Sequence, residues 1–225
     1  MTIKIGIPSK GRLMDQTFDW FGARGIGMKK SGNDREYAGA VEGIDGVEIV
    51  MLSAAEIPRE LAEGRIQLGV TGTDLMRDKL ADWNRQVIEV APLGFGHADL
   101  IIAVPAVWID VETLDDLDAA AAAFRAAHRH RLRIATKYHR LVREFLTAHG
   151  IADYQLVDSQ GATEATVKNL TAEAIADITS SGETLRANHL KALADGKILQ
   201  SQATLYRSRQ AIGTEVEALL HRLAV

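Results

Sequence analysis

The sequence predicts an α/β protein whose β-sheets are mainly parallel. Short apolar runs alternate with segments of helical periodicity along the chain, and glycine-containing turns follow several of the apolar runs. Parallel strands must be joined by crossover connections, which are usually helices. This alternation therefore favours parallel sheets with helices packed on their faces.

The predicted strands are short apolar runs bounded by turn residues. In the first run, isoleucines alternate with Lys4 and Gly6, and Pro8 ends it. Pro105 closes a later, fully apolar run in the same way. Proline lacks the N–H that strand pairing uses, so it marks where a strand stops. The full set covers residues 3–7, 47–52, 66–70, 100–104, 133–136, 174–178 and a long strand over 198–206.

The helices are predicted from periodicity and capping signals. Residues 58–64 form a short helix, and residues 139–149 carry one apolar face with Gly150 as the C-cap. A capping-box-like pattern at 113–116 starts a helix that the alanines 119–123 propagate, and the basic run 128–133 fits its C-terminal end. The last helix, 212–224, has an apolar stripe that either packs within the chain or joins an oligomer interface. The stripe consists of Ile212, Val216, Leu219, Leu220 and Leu223.

Composition excludes several classes of protein. The 225 residues suffice for one large domain or two small ones, and the absence of cysteine excludes disulfides and thiolate metal sites. Residues 1–20 lack the apolar core of a signal peptide, and no apolar run reaches the roughly 18 residues of a membrane span. A net charge of −4 disfavours a nucleic-acid-binding role. We therefore expect a cytoplasmic globular protein that binds neither membranes nor nucleic acids.

Familiar catalytic signatures are missing as well. The sequence contains no G-x-x-x-x-G-K-[ST] phosphate loop and no G-x-G-x-x-G after a strand, which argues against P-loop and Rossmann nucleotide sites. It also lacks H-E-x-x-H and G-x-S-x-G, so a histidine metal site and a serine hydrolase are not indicated.

Three turns that follow predicted strands carry residues suited to phosphate binding. They are PSKGRL (8–13), GVTGTDL (69–75) and DITSSGETL (177–185). In parallel α/β sheets, ligands collect at the carboxyl ends of strands, where helix N-termini offer unpaired N–H groups to phosphate. Each turn alone is weak evidence, because glycine-containing strand-to-helix turns are common.

The third turn resembles the phosphoribosyl pyrophosphate loop of the ATP phosphoribosyltransferase family, which begins histidine biosynthesis. That loop has an acid, small residues and T/S-G-x-T-L, commonly followed by x-A-N-x-L, and R-A-N-H-L follows here. PSKGRL, GVTGTDL, GFGHADLIIAVP (94–105) and RIATKY (133–138) resemble further motifs of the family in the same order. Gly161 and Glu164 occupy the places of its G-S-V-E, and the resemblance extends over residues 3–208.

The resemblance implies a glycosyltransferase in which N1 of ATP attacks the anomeric carbon of phosphoribosyl pyrophosphate and pyrophosphate leaves. It implies Mg²⁺ bound mainly through substrate phosphates, with no metal ligands among the protein side chains. The catalytic residues it implies are Lys10 and Arg12 at the leaving pyrophosphate and Asp177 at the ribose hydroxyls. The substrate-binding residues it implies are Gly11, Glu56, Gly72, Asp74, Glu164, Thr179, Ser180, Ser181, Gly182, Glu183, Thr184 and Leu185.

The sequence departs from the family pattern at a phosphate contact. Family members usually carry an arginine and then an aspartate where this chain has Ser53 and Glu56. The missing arginine removes an expected phosphate contact, for which Arg59 or Arg35 is a candidate substitute.

Other departures concern the backbone. Val167 and Leu170 stand where the family has a proline and a glycine, which we interpret as packing changes. Ser9 is an additional residue in the first turn.

The resemblance also implies the architecture, which is two α/β lobes of periplasmic-binding-protein type with a substrate cleft between them. We expect the chain to cross between the lobes near residues 94–96 and again near 185–190. Domain I is then residues 1–96 plus 187–225, and domain II, residues 97–186, carries the phosphoribosyl pyrophosphate loop.

The size of the chain resembles the short form of the family, whose members lack a C-terminal histidine-binding domain. Short forms work with a separate regulatory subunit that is similar to a histidyl-tRNA synthetase without aminoacylation activity. We therefore expect a hetero-oligomer with such a subunit, and a homodimer of this chain.

Two other functions stay open at this stage. A non-catalytic ligand-binding protein could share the bilobal architecture. A phosphoribosyltransferase of another pathway could share the loop, although that class usually has two adjacent acids where only Asp177 is present here.

Overall fold

The structure is a computed structural model that describes residues 2–30, 38–41, 44–159 and 161–225. None of the helices in these ranges is long and apolar enough to cross a membrane. In chain order the elements are β1 (Ile3–Pro8), α1 (Gly11–Gly22), β2 (Met28–Lys30), β3 (Ala38–Val41), β4 (Val47–Leu52), α2 (Ile57–Ala62), β5 (Leu68–Gly72), α3 (Thr73–Lys79), α4 (Trp83–Gln86), β6 (Val87–Pro92), β7 (Ala98–Pro105), α5 (Leu114–His128), β8 (Leu132–Thr136), α6 (His139–Ala148), β9 (Tyr154–Asp158), α7 (Ala165–Lys168), β10 (Ala174–Thr179), α8 (Glu183–Ala187), β11 (Leu190–Ser201), β12 (Ala203–Ser208) and α9 (Thr214–Arg222).

The chain divides into two compact units. Unit 1 comprises Met1–His97 and Gln202–Val225, and unit 2 comprises Ala98–Ser201. We expected the chain to return to the first unit at residue 187, but residues 187–201 belong with unit 2. The reason is that β11 pairs with β7 along most of its length.

Unit 1 is built on a mixed sheet with the strand order β2-β3-β4-β1-β5-β12-β6. The central strand β1 is parallel to both β4 and β5, whereas β12 is antiparallel to β5 and β6. Five of the six residues of β1 and four of the five residues of β5 are buried. This burial fits parallel strands covered on both faces.

Two glycines allow α2 to pack closely on this sheet. A Cβ atom at Gly6 would lie 2.4 Å from Cδ1 of Ile66, and one at Gly69 would lie 2.8 Å from Cγ2 of Ile57. Since real side chains do not approach so closely, glycine at both positions lets the buried Ile57, Leu61 and Ile66 meet the strands.

The C-terminal helix α9 packs inside unit 1. Val216, Leu219, Leu220 and Leu223 are buried in the main core of the unit, whereas Ile212 is 83% exposed. The apolar stripe of this helix is therefore mostly an intramolecular packing face, which was one of the two interpretations of the sequence.

Unit 2 is built on a sheet with the strand order β11-β7-β10-β8-β9. Strands β10, β8 and β9 are mutually parallel, and β7 is antiparallel to β10 and β11. Helix α5 begins with the capping box that the sequence indicates, in which Thr113 accepts from the backbone of Asp116 and Asp116 accepts from the backbone of Thr113.

The prediction of one long strand over 198–206 is wrong. Residues up to Ser201 pair with β7 in unit 2, and residues from Ala203 pair with β5 and β6 in unit 1. No proline or glycine interrupts residues 198–206, but Gln202 separates two strands whose partners belong to different sheets.

An ion pair joins the start of β8 to the segment before β10. Arg133 donates from Nη2 to Oε1 of Glu173 at 2.5 Å and from Nε to Oε2 at 3.1 Å, and it also donates to the carbonyl of Leu170 at 3.0 Å. The backbones of Arg133 and Glu173 complete the link, since the Arg133 N–H donates to Oε2 at 2.8 Å and the Glu173 N–H donates to the Arg133 carbonyl at 3.0 Å.

Leu170, whose carbonyl this arginine binds, has a left-handed backbone. Its φ is 57° and its side chain is 80% exposed. A leucine in this region costs roughly 1–2 kcal/mol, a cost that glycine does not carry. The glycine of the family pattern is therefore explained by backbone conformation, and our interpretation of Leu170 as a packing change is wrong.

We predict that Glu173→Gln lowers the free energy of unfolding by about 1–3 kcal/mol at neutral pH, because a charge-assisted contact is lost. Partial burial acts to raise the pKa of the Glu173 carboxyl, but its hydrogen bonds from Arg133 outweigh burial and leave that pKa below its ordinary value. The stabilisation is thus complete above the unfolded pKa of about 4.3 and is lost as pH falls through the lower folded value.

Urea unfolding of both proteins across pH 3–7 measures this difference. Glu144→Gln is the matched control, because Glu144 pairs with Arg140 on an exposed helix face and should contribute below about 0.5 kcal/mol. A loss at Glu173 that did not shrink on acidification would contradict the role assigned to the pair.

Candidate active site

In unit 1, the predicted turns 8–13 and 69–75 lie at one edge of the sheet, together with the segment 53–56 that follows β4. Pro8 at the end of β1 pairs with Leu52 at the end of β4, and the parallel register of β1 with β5 places the end of β5 at the same edge. The turns at 9–12, 53–56 and 72–74 therefore follow neighbouring strand ends. Here the structure brings together Lys10, Gly11, Arg12, Glu56, Gly72 and Asp74.

The first turn presents two cations. The Ser9 N–H donates to the carbonyl of Leu52 at 2.8 Å, so the additional residue of this turn ties it to β4. Gly11 has a φ of 74°, which allows α1 to begin directly after Lys10. Lys10 and Arg12 are exposed, and neither makes an ion pair with a residue that the structure describes. Both charges are thus available to an anion.

The segment after β4, residues 53–56, is held by the carboxylate of Glu56. Oε2 of Glu56 accepts a hydrogen bond from the Ser53 N–H at 3.0 Å, and Oγ1 of Thr71 donates to the carbonyl of Ala54 at 2.7 Å. Glu56 therefore has a structural role in the free protein. A ligand that binds its carboxylate must share it with this hydrogen bond.

Of the two candidate substitutes for the missing arginine, Arg59 lies within the described residues. Arg59 lies in α2, and its Nη2 is 3.5 Å from Oε1 of Glu60, a carboxylate that Arg65 already holds at 2.5 Å. The Arg59 side chain is 64% exposed, so its guanidinium can bind another anion at little cost. Arg35 lies outside the described residues.

The turn after β5, residues 72–74, is fixed by Gln202, which directly precedes β12. The Thr73 N–H donates to the carbonyl of Gln202 at 3.1 Å, and its hydroxyl lies 3.3 Å from the same oxygen. Asp74 is only 5% exposed, whereas Gly72 and Thr73 are half-buried. This turn therefore presents its backbone to solvent more than it presents the Asp74 carboxylate.

In unit 2, the ends of the three parallel strands form a second edge. Thr136 at the end of β8 pairs with Ala176 of β10 and with Asp158 of β9. The segments that begin at Lys137, Ser159 and Asp177 are consequently neighbours at one edge of this sheet.

The loop after β10 is shaped by its hydroxyl groups and one glycine. The Gly182 N–H donates to Oγ1 of Thr179 at 3.0 Å, and the Glu183 N–H lies 3.3 Å from Oγ of Ser181. Gly182 has a φ of 69°, and a Cβ there would lie 3.0 Å from Nη1 of Arg186. The left-handed glycine turns the chain from β10 into α8.

The chemical groups of this loop are accessible. Ser180, Ser181, Glu183 and Thr184 are exposed, and Asp177 is half-buried with its Oδ1 accepting from the N–H of Ile178 at 2.8 Å. Leu185 differs, because it is 7% exposed and belongs to a core cluster with Ile101 and Leu190. Its side chain anchors α8, so its contact with a ligand is limited to the backbone.

Ser159, Thr163 and Lys137 are residues near this edge that the sequence reasoning did not name as site residues. Oγ of Ser159 and Oγ1 of Thr163 are 2.7 Å apart, and both residues are buried. Gly161, with a φ of 93°, accepts a hydrogen bond on its carbonyl from Nζ of Lys137 at 2.6 Å. Glu164 is half-buried and begins α7. The sequence did contain a signal for Lys137, because a lysine directly after a buried strand lies at a strand end. Lys10 lies in a similar position, two residues after β1.

The described residues contain no group of three or more His, Cys, Asp or Glu side chains that could hold a metal ion. The chemical groups at the two edges are instead cations, hydroxyls, backbone N–H groups and single carboxylates. Such a donor set suits phosphate groups and ribose hydroxyls.

Comparison with known proteins identifies the family. The family model of ATP phosphoribosyltransferase (HisG) matches residues 53–225. The chain belongs to the ATP phosphoribosyltransferase family. It is 77% identical over 215 residues to the ATP phosphoribosyltransferase of Cereibacter sphaeroides, a match that covers 96% of this chain and 91% of the relative. It is 54% identical over 211 residues to that of Rhizobium etli, with coverage of 93% and 91%.

Solved structures agree with this family in fold. The ATP phosphoribosyltransferase (HisG:HisZ) complex from Thermotoga maritima matches with a TM-score of 0.76 at 20% identity, covering 99% of this chain and 97% of that one. The periplasmic VFT2 domain of Bordetella pertussis BvgS matches with a TM-score of 0.57 at 13% identity, covering 99% and 86%. The prediction of two α/β lobes of periplasmic-binding-protein type is confirmed.

Proposed function

We propose that the chain is the ATP phosphoribosyltransferase that joins N1 of ATP to the anomeric carbon of phosphoribosyl pyrophosphate in the first step of histidine biosynthesis. The observation that carries this assignment is the loop 177–185, which follows a strand end with the acid, hydroxyls and left-handed glycine of the family. Membership of this family also argues against a non-catalytic binding protein and against a phosphoribosyltransferase of another pathway. The use of ATP as a substrate supports a cytoplasmic location.

In this reaction, a bond forms between N1 of adenine and C1 of the ribose while the bond from C1 to pyrophosphate breaks. The leaving pyrophosphate takes the bonding electrons, so negative charge grows on its oxygens and positive charge develops at C1. No protein nucleophile is needed. Stabilisation must come from cations and hydrogen-bond donors placed at the leaving group.

We assign the leaving pyrophosphate to the first turn of unit 1. Lys10 and Arg12 are exposed cations beyond a strand end, and the described residues supply no acid that neutralises them. Mg²⁺ would arrive bound to the pyrophosphate and would neutralise part of its charge, since no cluster of metal ligands is found among the described side chains.

We assign the phosphoribosyl group to the loop after β10. The hydroxyls of Ser180, Ser181 and Thr184, together with the backbone around Gly182, would hold the 5-phosphate. Asp177 follows the last buried residues of β10 and would accept hydrogen bonds from the ribose hydroxyls. Within the same loop, Thr179 and Glu183 would support the turn, and Leu185 would contribute only its backbone.

The remaining assignments concern ATP and the neighbouring segment. Gly72 and Asp74 would lie toward ATP, mainly through the backbone of the turn. Glu56 would bind substrate only by sharing its carboxylate with the Ser53 N–H. Glu164, half-buried at the start of α7, would help to position the ribose or its metal ion.

We also extend to this chain a partnership with a regulatory subunit. The Thermotoga maritima relative was solved as a HisG:HisZ complex, which supports a comparable assembly here. The partner would be a protein similar to a histidyl-tRNA synthetase without aminoacylation activity, and the catalytic chain would form a homodimer.

The first prediction from this assignment concerns Thr184→Val. This change removes the hydroxyl and keeps the side-chain shape, so phosphoribosyl pyrophosphate should bind more weakly by roughly 1–3 kcal/mol. Affinity for ATP should change much less. Titration calorimetry with each substrate measures both quantities.

Thr147→Val is the matched control for this change. Thr147 is also exposed in unit 2 but lies in the last turns of α6, away from the strand ends, and its loss should leave both affinities unchanged. Equal weakening of the two substrates by Thr184→Val would count against the loop as the phosphoribosyl pyrophosphate site.

The second prediction concerns Lys10→Ala and Arg12→Ala. Each should reduce turnover roughly 10-fold or more, because a cation at the developing charge is lost. Neither should change the melting temperature much, since both side chains are exposed. Arg85→Ala is the control, because Arg85 is also exposed in unit 1. It lies just before β6, whose first residue is at the opposite edge of the sheet from the turns after β1, β4 and β5. Activity that fell only in step with stability would refute the catalytic role.

The third prediction concerns regulation. The purified chain should have low activity that histidine does not inhibit, and addition of the partner subunit should raise turnover and introduce inhibition by histidine together. Steady-state rates with and without the partner, each with and without histidine, provide the test. Strong inhibition of the isolated chain would require a feedback site within it and would refute this regulatory arrangement.

A further inference from the structure

Lys137 lies beside the loop that we assign to the phosphoribosyl group. It directly follows Thr136, the last residue of β8, and Thr136 pairs in parallel with Ala176 of β10. One residue further along both strands, Lys137 is the neighbour of Asp177. Adjacent strands are about 5 Å apart, so a lysine side chain at this point can reach any group bound at the end of β10.

The ammonium group of Lys137 has a neutral partner. Its Nζ donates to the carbonyl of Gly161 at 2.6 Å, and the side chain is exposed. Lys197 at this edge is paired with an acid, since its Nζ lies 2.6 Å from Oδ2 of Asp99. The charge of Lys137 is therefore held in place by a carbonyl, and no carboxylate among the described residues forms an ion pair with it.

The adjacent loop lacks such a charge. Asp177 and Glu183 are acidic, and the donors that the loop offers are hydroxyl and backbone N–H groups. Its nearest cation in sequence, Arg186, donates from Nη2 to the carbonyl of Ser181 at 3.2 Å and so supports the loop itself. A bound phosphate would add further negative charge beside two carboxylates, which is costly unless a cation faces it.

We propose that Lys137 is a phosphate-binding residue of the phosphoribosyl pyrophosphate site, and that its ammonium contacts the same phosphate group as the loop 179–184. The Gly161 carbonyl holds the ammonium at this edge of the sheet before substrate arrives. Since that carbonyl uses one of three N–H donors of the ammonium, the others are available to phosphate oxygens. This inference rests on the function proposed above.

The test replaces Lys137 with two side chains that separate charge from hydrogen bonding. Lys137→Gln keeps a donor for the Gly161 carbonyl and removes the charge, whereas Lys137→Arg keeps the charge. Calorimetry should show phosphoribosyl pyrophosphate binding about 10-fold or more weakly to Lys137→Gln, with a smaller loss in Lys137→Arg and an unchanged melting temperature. Lys168→Gln is the control, because Lys168 is exposed in the same unit at the end of α7 and should bind normally.

Unchanged affinity in Lys137→Gln, or equal losses in the glutamine and arginine variants, would overturn the inference. So would a loss of affinity that matched a loss of thermal stability, since the lysine would then serve only to hold the segment around Gly161.

A double-mutant cycle asks whether the phosphate is shared. If Lys137 and Thr184 contact one phosphate group, the losses from Lys137→Gln and Thr184→Val should not add in the double variant. Additive losses would place Lys137 at another part of the substrate and would contradict the inference. The proposed function fails separately, because it requires the unmodified chain to bind phosphoribosyl pyrophosphate whatever the role of Lys137.

Discussion

Parallel pairing of buried strands is the constraint on which the candidate site depends. Because β1 is parallel to β4 and β5, the three turns after these strands share one edge of the sheet in unit 1. The same geometry of β8, β9 and β10 brings Lys137, Ser159 and Asp177 to one edge in unit 2. Parallel strands of this kind are usually covered on both faces, and Gly6 and Gly69 leave space on one face for α2 and Ile66. Chemistry at the edges is thus a consequence of packing in the interior.

The two edges differ in charge. Unit 1 offers Lys10 and Arg12 beyond β1, and unit 2 offers mainly hydroxyls and backbone donors after β10. Two opposite charges about 4 Å apart gain about 1 kcal/mol in water and about 4 kcal/mol at an effective dielectric constant of 20. Cations without acidic partners are therefore most useful where charge grows during the reaction, and fixed neutral donors are sufficient to orient a phosphate that does not react. Lys137 adds a positive charge to the edge of unit 2, where Asp177 and Glu183 would otherwise oppose an anion.

Sequence reasoning predicted the features that local patterns determine. Isoleucine alternation ending at Pro8 predicted β1, the capping box at Thr113 predicted α5, and the hydroxyl-rich turn at Gly182 predicted the loop, which has the left-handed glycine such a turn requires.

Sequence reasoning failed where the outcome depends on pairing partners distant in sequence. Gln202 divides the segment 198–206 between two sheets, although no proline or glycine marks a strand end there. Leu170 keeps a left-handed backbone despite its side chain, while its carbonyl is bound by Arg133 from another strand. Burial of Leu185 and Asp74 likewise follows from tertiary packing, which no local pattern predicts.

The central claim is that this chain performs the condensation of ATP with phosphoribosyl pyrophosphate. The most direct measurement mixes the purified chain, with its partner subunit present, with both substrates and Mg²⁺, and follows product formation by absorbance while pyrophosphate is removed. The account predicts product that requires both substrates and that decreases sharply when the chain carries Arg12→Ala or Thr184→Val at limiting phosphoribosyl pyrophosphate. No product from the unmodified chain under these conditions, although it binds phosphoribosyl pyrophosphate, would contradict the account and would leave a ligand-binding protein in its place.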